Sequence, residues 1–241
     1  MKLSWVEGAK HKAVLKALQP IKNGWIVGLG SGSTMANATV ELARISKARR
    51  LDVSIVPTSH QIEHLAISNG LRILSLNEAF TIDYAIDGAD QVQLPSLNVI
   101  KGGGAALMRE KIVDSAASKL VIVVDERKLS KDLGGTQPVP LEVLPFAQRY
   151  VQAQVAKMGG RARLREGVGK AGPVVTDNGN FILDADFGRL ENPSKLERSL
   201  KSIPGLLETG LFLQMADMTY VGRRDGRVDE LRPERMRAHS H

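Results

Sequence analysis

The stretch KGGGAALMREKIV, residues 101–113, decides how the rest of the chain is organised. Its three glycines follow a short apolar run, residues 97–100, that predicts the end of a strand. The residues after the glycines, 105–118, have the composition and the apolar spacing of a helix. A glycine-rich turn between a strand and a helix lets the backbone approach a ligand and directs amide groups at it. Because Lys101 begins this turn and Glu110 lies two helical turns inside, the segment combines a cation, anion-binding amides and a carboxylate.

The same residues allow a second interpretation without a ligand. A tight turn followed by a surface helix would carry Arg109, Glu110 and Lys111 as exposed ion-pairing residues. This segment alone does not separate the two interpretations, so the neighbouring segments have to decide between them.

Composition indicates a folded protein outside the membrane. An apolar fraction of 43% in 241 residues is enough for a buried core in one domain or two. The absence of cysteine excludes disulfides and thiolate metal sites and fits a cytoplasmic protein. The charged N-terminus lacks the apolar core of a signal peptide, and no apolar run approaches the roughly 20 residues that span a bilayer. We therefore expect a soluble, cytoplasmic protein.

The charge balance is basic, with a net charge of +7 and an isoelectric point near 9.7. A nucleic-acid partner is one interpretation of such a charge. However, aromatic residues make up only 4% of the chain and do not alternate with the basic residues, which argues against a surface for stacking bases. A basic surface that attracts phosphorylated metabolites is the favoured interpretation.

Short apolar strands alternate with helices through the first half of the chain, a pattern typical of a parallel sheet with helices on both faces. After residue 132 the pattern changes at a segment rich in proline and glycine, and Asn178-Gly179 then predicts a hairpin between further helices. We predict an α/β domain from residues 1–132 and 207–222, a smaller α+β domain from residues 133–206, and a basic tail from residues 223–241.

Four polar segments follow predicted strands, and in an open α/β sheet ligands bind at the edge formed by the carboxyl ends of the strands. The four segments are residues 31–34, 87–90, 101–104 and 125–128. Each one is a weak signal alone, but four at the same sheet edge predict a common site.

Standard cofactor motifs are incomplete in this sequence. Ser33 stands where a dinucleotide fingerprint has its third glycine, and no Gly-Lys-Ser/Thr follows as in a P-loop. Residues 31–34 therefore predict a turn for a phosphate or sugar oxygen, or a plain strand-to-helix turn. Asp87 and Asp90 could bind Mg²⁺, position sugar hydroxyls or cap a helix. Residues 60–64 match the H-x-x-E-H zinc pattern, but an exposed helix face explains them as well.

Four motifs together resemble one enzyme family. GSGST (30–34), DGAD (87–90), KGGGAALMREKI (101–112) and VVTDNGN (174–180) occur in the order and spacing of ribose-5-phosphate isomerase, type A. The resemblance covers residues 5–222. It implies a Rossmann-like domain and a ferredoxin-like domain. It also implies interconversion of D-ribose 5-phosphate and D-ribulose 5-phosphate through an ene-diolate, in the non-oxidative pentose phosphate pathway. No metal or organic cofactor is implied, and the assembly would be a homodimer or homotetramer.

The resemblance also implies roles for individual residues. Glu110 would move the proton between C2 and C1, and Lys101 would stabilise the ene-diolate oxygen. Asp87 would transfer hydroxyl protons, and Asp90 would orient the open-chain sugar. The remaining substrate-binding residues would be Ser31, Gly32, Ser33, Thr34, Gly88, Ala89, Gly102, Gly103, Gly104 and Lys128, of which the lysine would contact the phosphate.

This chain departs from the family pattern at two positions, with Gln91 where glutamate is usual and Arg127 within the segment 125–128. Two alternatives from other classes stay open. One is a non-catalytic sugar-phosphate sensor of the same fold, to which Glu110 and Lys101 would be unnecessary. The other is an acyl- or CoA-transferring enzyme, which would need a carboxylate nucleophile and a covalent intermediate.

Overall fold

The structure is a computed structural model that describes residues 4–79, 81–169 and 171–234. Its α-helices are α1 (Trp5–Leu18), α2 (Ser33–Arg49), α3 (His60–Ser68), α4 (Leu107–Ala116), α5 (Gln148–Lys157) and α6 (Pro193–Lys201). Its strands are β1 (Ile26–Leu29), β2 (Ser54–Pro57), β3 (Arg72–Ile73), β4 (Tyr84–Asp87), β5 (Gln91–Gln93), β6 (Val99–Ile100), β7 (Leu120–Asp125), β8 (Leu129–Ser130), β9 (Val139–Val143), β10 (Arg161–Leu164), β11 (Phe181–Asp186), β12 (Leu206–Thr209), β13 (Leu211–Phe212), β14 (Met218–Gly222) and β15 (Val228–Leu231).

A seven-stranded sheet forms the centre of the molecule, in the order β15-β14-β7-β4-β1-β2-β3. All of its pairings are parallel except that of β14 with β15. The predicted α/β class with a mostly parallel sheet is confirmed. The order reverses between β1 and β4, so their carboxyl ends diverge into a crevice of the kind that binds ligands in such sheets.

Helices cover this sheet because their apolar faces pack on it. One face is covered by α1, α2 and α3, which bury Leu18, Leu42 and Ile62 against β1, β4 and β7. The other face is covered by α4 together with a small sheet of order β13-β6-β5-β8. Helix α1 begins at a capping box, in which Ser4 and Glu7 bond each other's backbone amides.

A third sheet, of order β10-β11-β9-β12, packs with α5 and α6 around its own apolar core. These elements lie within or close to the predicted second domain, and the domain boundaries stay a prediction. Asn178-Gly179 does form a turn, followed by β11. However, β11 pairs chiefly with β9 and β10, and the segment before the turn contributes only a single bridge.

Two segments differ from the sequence-based expectation. The proline-rich boundary at Pro138 and Pro140 runs into β9, a buried strand in which Pro140 is the second residue and lies opposite Asp184 of β11. The predicted tail from residue 223 instead turns back at residues 223–227, and β15 extends the main sheet as an antiparallel edge strand. Its two central residues, Asp229 and Glu230, are charged, as suits an edge strand. Residues 235–241 of that predicted tail lie outside the described residues.

Across the described ranges, no helix is both long and apolar enough to cross a bilayer.

Candidate active site

Three strands of the main sheet and the glycine turn bring polar residues to the same crevice. Strand β4 ends at Asp87, β1 is followed by residues 30–34, and β7 is followed by a short 3-10 helix, Glu126–Lys128. Strand β6 leads directly into Lys101. Because β1, β4 and β7 are parallel neighbours, their carboxyl ends lie at one edge of the sheet. The four segments predicted to share a site therefore do lie together.

Asp87, Lys101 and Glu110 form a buried ionic cluster. Lys101 Nζ lies 2.9 Å from Asp87 Oδ2 and 3.2 Å from Glu110 Oε2, and it donates a hydrogen bond to the Gly88 carbonyl at 2.9 Å. All three side chains are at most 6% exposed. The interpretation of Glu110 as an exposed ion-pairing residue is wrong, because the first turn of α4 faces the sheet edge rather than solvent.

The two carboxylates also receive backbone hydrogen bonds. The Gly88 amide donates to Asp87 Oδ1 at 2.6 Å, and the Ser31 amide donates to Glu110 Oε1 at 3.3 Å. The oxygens nearest Lys101 receive no well-directed hydrogen bond from a described residue.

Burial raises the pKa of Glu110 to about 7, with the neighbouring Asp87 adding to the rise and Lys101 opposing it. Burial likewise raises the pKa of Asp87, and Lys101 again opposes the rise. For Lys101 burial alone would lower the pKa, but the two carboxylates outweigh it and raise the pKa above its ordinary value. The cluster therefore contains a fixed cation and a carboxylate that changes charge near neutral pH.

Small residues allow this close packing. A Cβ at Gly30 would overlap the Asp87 carboxyl, so only glycine lets β1 end beside that side chain. Ser31 is fixed by hydrogen bonds of 2.7 Å between its hydroxyl and those of Thr58 and Ser59. Gly32 precedes α2 as its N-cap at φ 89°, and within the described residues no side chain caps the helix. The N-terminus of α2 thus points amides toward the crevice.

Asp90 and an arginine fix the glycine turn from two sides. Asp90 Oδ2 accepts a hydrogen bond from the Gly103 amide at 2.7 Å. Arg165, which follows β10, donates to the carbonyls of Gly102 at 2.7 Å and Gly103 at 3.1 Å. Asp184 holds the arginine in turn, accepting from Nε at 2.9 Å and pairing with Nη2. The third sheet thereby positions a loop that belongs to the site.

The turn at residues 176–180 makes a second link from the third sheet, to helix α4. Buried Glu142 accepts hydrogen bonds from Thr176, Asn178 and Asn180 at 2.8–2.9 Å, which fixes the turn. Asn178 then accepts from Arg109 Nε at 2.7 Å, one residue before Glu110. The VVTDNGN motif therefore supports the helix that carries Glu110.

These groups line a cavity of about 230 Å³, and the structure brings nearly all the residues expected at the site into its wall. Among them, Asp87 alone stands behind the wall, fully buried against Lys101. The wall residues are Lys10, Ser31, Gly32, Ser33, Thr34, Gly88, Ala89, Asp90, Lys101, Gly102, Gly103, Gly104, Glu110, Val123, Val124, Asp125 and Lys128.

Sequence reasoning missed Lys10 and Asp125 in this wall. Lys10 Nζ lies 4.0 Å from Asp125 Oδ2, which places the lysine of α1 beside the end of β7. The segment 125–128 was predicted to reach the site, so Asp125 had a signal. Lys10 had none, because it is one of several lysines on the first helix and its direction depends on how α1 packs.

Neither departure from the family pattern enters the cavity. Gln91 bonds Gly134 and Thr136 in a loop before β9, and Arg127 pairs with Asp125 over the ring of Trp5. In the H-x-x-E-H segment, His60 Nδ1 contacts Glu63 Oε2 at 3.0 Å on an exposed face. No group of three or more potential metal ligands is assembled anywhere in residues 4–79, 81–169 and 171–234.

The arginine contact with the glycine turn leads to a first prediction. We expect Arg165→Lys to lower kcat/KM by roughly 10- to 100-fold, because a lysine cannot hold Asp184 and two carbonyls together and a small displacement of the turn is costly. The measurement is steady-state turnover beside Arg163→Lys, an exposed position on the preceding strand. Equal activity of the two variants would contradict a positioning role for Arg165.

Comparison with known proteins gives consistent results. Residues 54–226 match the family model of ribose 5-phosphate isomerase A (phosphoriboisomerase A). Ribose-5-phosphate isomerase A of Methanothermobacter thermautotrophicus is 47% identical over 217 residues, which is 90% of this chain and 95% of that protein. The protein of the same name from Thermococcus kodakarensis is 46% identical, over 92% of this chain and 96% of its own length.

Solved structures agree over the whole fold. A D-ribose-5-phosphate isomerase in complex with phospho-erythronic acid superposes with a TM-score of 0.91 and is 44% identical, covering 94% of this chain and 99% of that structure. Ribose 5-phosphate isomerase A of Methanocaldococcus jannaschii gives a TM-score of 0.90 at 40% identity, with the same coverage. The expected resemblance is confirmed over both the main sheet and the third sheet.

Proposed function

The chain belongs to the ribose 5-phosphate isomerase A family, and from this premise we propose that the cluster of Asp87, Lys101 and Glu110 performs the chemistry of its reaction. The protein is an aldose–ketose isomerase that interconverts D-ribose 5-phosphate and D-ribulose 5-phosphate. The observation that carries the assignment of residues is the pairing of a buried carboxylate with a buried ammonium in the wall of the cavity.

Glu110 acts as the base. Its ionised carboxylate takes the proton from C2 of the open-chain aldose, which leaves an ene-diolate spread over C1, C2 and their oxygens. The same carboxyl then returns the proton to C1 and gives the ketose, so the base is regenerated. A base is most effective when its pKa lies near the working pH, and burial places the pKa of Glu110 at about 7.

Lys101 stabilises the negative charge that develops on the oxygen of the ene-diolate. Its ammonium is held by two carboxylates and a carbonyl, so it does not have to reorganise as charge develops. Asp87, behind Lys101, moves protons between the two hydroxyl oxygens, and Asp90 orients the open-chain sugar and assists ring opening. The amides of residues 102–104 add further donors around the sugar.

The phosphate binds where the cavity is basic and the helix begins. Lys128 and Lys10 line the wall, and the N-terminus of α2 supplies backbone amides and the hydroxyls of Ser33 and Thr34. Phospho-erythronic acid, bound in a related isomerase, is itself a phosphorylated sugar acid. A sugar phosphate of this size suits the small cavity.

A sensor of the same fold would bind this ligand without converting it. It would gain nothing from burying a carboxylate at a pKa near 7 beside a fixed cation, and burial of such a group is costly. The transferase alternative would need a covalent carboxylate intermediate, whereas the raised pKa of Glu110 suits proton transfer. The isomerase is therefore the better account of the cluster.

The direct test is turnover of ribose 5-phosphate across pH in the presence of EDTA. We expect ribulose 5-phosphate to form without added metal. Because the base must be ionised and the pKa of Glu110 is about 7, we expect kcat/KM to be half-maximal near pH 7, to level off at higher pH and to fall about tenfold per pH unit at lower pH. Binding of the sugar phosphate without turnover at any pH would overturn the enzymatic assignment and favour the sensor.

We further propose that the protein works in the cytoplasm as a homodimer or homotetramer. The support is the family resemblance and a group of exposed apolar side chains around the start of α5, where Phe146 is 98% exposed and Tyr150 is 49% exposed. Exposed apolar residues of this kind are common at subunit contacts.

A further inference from the structure

A fourth ionisable side chain, Asp114, lies buried behind the proposed catalytic cluster. It stands four residues after Glu110 on α4, so the two carboxyls share one face of the helix. Asp114 is only 3% exposed, and its carboxyl lies within hydrogen-bonding reach of the Asp87 carboxyl. It is absent from the cavity wall, and the mechanism above gives it no task.

The donors around the four groups are shared unequally. Asp87 has the Gly88 amide and Lys101, and Glu110 has the Ser31 amide and Lys101. Neither oxygen of Asp114 meets an N–H or hydroxyl donor from the described part of the chain. With all three carboxyls ionised, the single ammonium would leave two uncompensated negative charges in a buried site. A proton must therefore reside in the cluster. Asp114 is the carboxyl expected to hold it, because it has the fewest donors to stabilise its ionised form.

We propose that Asp114 is a positioning residue that stays protonated and donates a hydrogen bond to the Asp87 carboxylate. The contact fixes the rotamer of Asp87 and favours its ionised form, which keeps Asp87 paired with Lys101. It also keeps Asp87 ionised at the start of each turnover, so that Asp87 can accept a hydroxyl proton while Glu110 takes the proton from C2. This role rests on the proposed function, because it acts through Asp87 on the isomerisation.

The pKa values are consistent with this placement of the proton. Burial raises the pKa of Asp114 well above its ordinary value, and the charge of Asp87 raises it further. The ionisable groups that face Asp114 are Asp87 on β4, Lys101 after β6 and Glu110 on its own helix. Lys101 alone opposes the rise.

Two substitutions separate a neutral Asp114 from an ionised one. Asp114→Asn keeps the shape and a donor for Asp87, whereas Asp114→Ala removes the donor. If Asp114 is neutral, Asp114→Asn should keep kcat within about threefold and leave the acidic limb of the pH profile in place. Asp114→Ala should lower kcat by about 10-fold or more and move the limb to higher pH, because Asp87 then holds a proton more readily.

If Asp114 is ionised instead, Asp114→Asn should move the acidic limb of the pH profile to lower pH. Its removal in Asp114→Asn would take away a negative charge near Glu110 and move the acidic limb down by on the order of one pH unit or more. That result would overturn the proposal, as would equal kcat in Asp114→Ala and the parent protein. If Asp114→Ala fails to fold, the position of the acidic limb in the pH profile of Asp114→Asn still shows whether Asp114 is neutral or ionised.

Infrared difference spectroscopy gives a readout that does not depend on activity. The infrared spectrum of the parent protein minus that of Asp114→Asn, both recorded at pH 9, should show the carbonyl stretch of a buried carboxylic acid. A carboxylate signal in its place would overturn the proposal even if the isomerase activity is present. Absence of turnover in the parent protein together with the acid signal would instead count against the proposed function alone.

Discussion

Replacing Glu110 by glutamine should reduce kcat for ribose 5-phosphate by at least two orders of magnitude while the fold persists. Glutamine preserves the shape of the side chain, and its amide oxygen can still accept the hydrogen bond from the Ser31 amide. What it loses is the basic carboxylate that takes the proton from C2. KM should change little, because the glycine turn, the start of α2 and Lys128 remain in the cavity wall.

The measurement is steady-state turnover in EDTA, with the melting temperature recorded beside it. Glu166→Gln is the matched control, since Glu166 is exposed and lies outside the cavity wall. The control should retain the activity of the parent protein. If Glu110→Gln turns over as fast as the parent, the reaction assignment survives but another group is the base.

Replacing Lys101 by methionine should have the second large effect. The variant loses the cation beside the developing oxyanion, which we expect to lower kcat/KM by about 10²- to 10³-fold. It also leaves Asp87 and Glu110 buried without a counter-ion, and breaking a buried ion pair costs on the order of 3–5 kcal/mol of stability. Without the cation the pKa of Glu110 should rise further, so the remaining activity should shift to higher pH.

Lys111→Met offers a control for the stability component of this effect. Lys111 belongs to a separate ion-pair cluster, in which its Nζ lies 3.1 Å from Glu197 and 2.8 Å from Glu208. The Nζ atoms of Lys111 and Lys101 lie 4.9 Å and 5.3 Å from the centre of the same Phe212 ring. It is absent from the cavity wall. We expect Lys111→Met to lower the melting temperature but to keep kcat within a few-fold of the parent. Matching losses of turnover in the two variants would refute the catalytic role of Lys101.

Sequence patterns predicted the main sheet and most of the site because both depend on local signals. Strand ends such as Asp87 and the turn after Ile100 are visible as apolar runs followed by polar or glycine residues. Parallel pairing then brings them to one edge without further information. Residue type and spacing predicted a cation, Lys101, and a carboxylate, Glu110, beside the glycine turn, and the family resemblance implied their roles. Only the structure shows that both side chains are buried.

The missed features depend on packing between distant segments. Lys10 reaches the cavity because α1 packs on β7 and β14, and nothing in residues 5–18 specifies that orientation. Arg165 reaches Gly102 across 63 positions in the sequence, through the docking of the third sheet. Asp114 did leave a signal, since helical spacing places it on the same face as Glu110. Its lack of hydrogen-bond donors could be recognised only in three dimensions.

The buried ammonium of Lys101 also has a consequence for side reactions. An open-chain aldose carries a free aldehyde, and a neutral amine held against an aldehyde condenses with it to an imine. Enzymes that work through such imines need a lysine whose pKa is lowered. Here the two carboxylates raise the pKa of Lys101, so its amine stays protonated and has no free lone pair to attack the aldehyde. We therefore expect Lys101, held as an ammonium, to form no imine with the open-chain aldose.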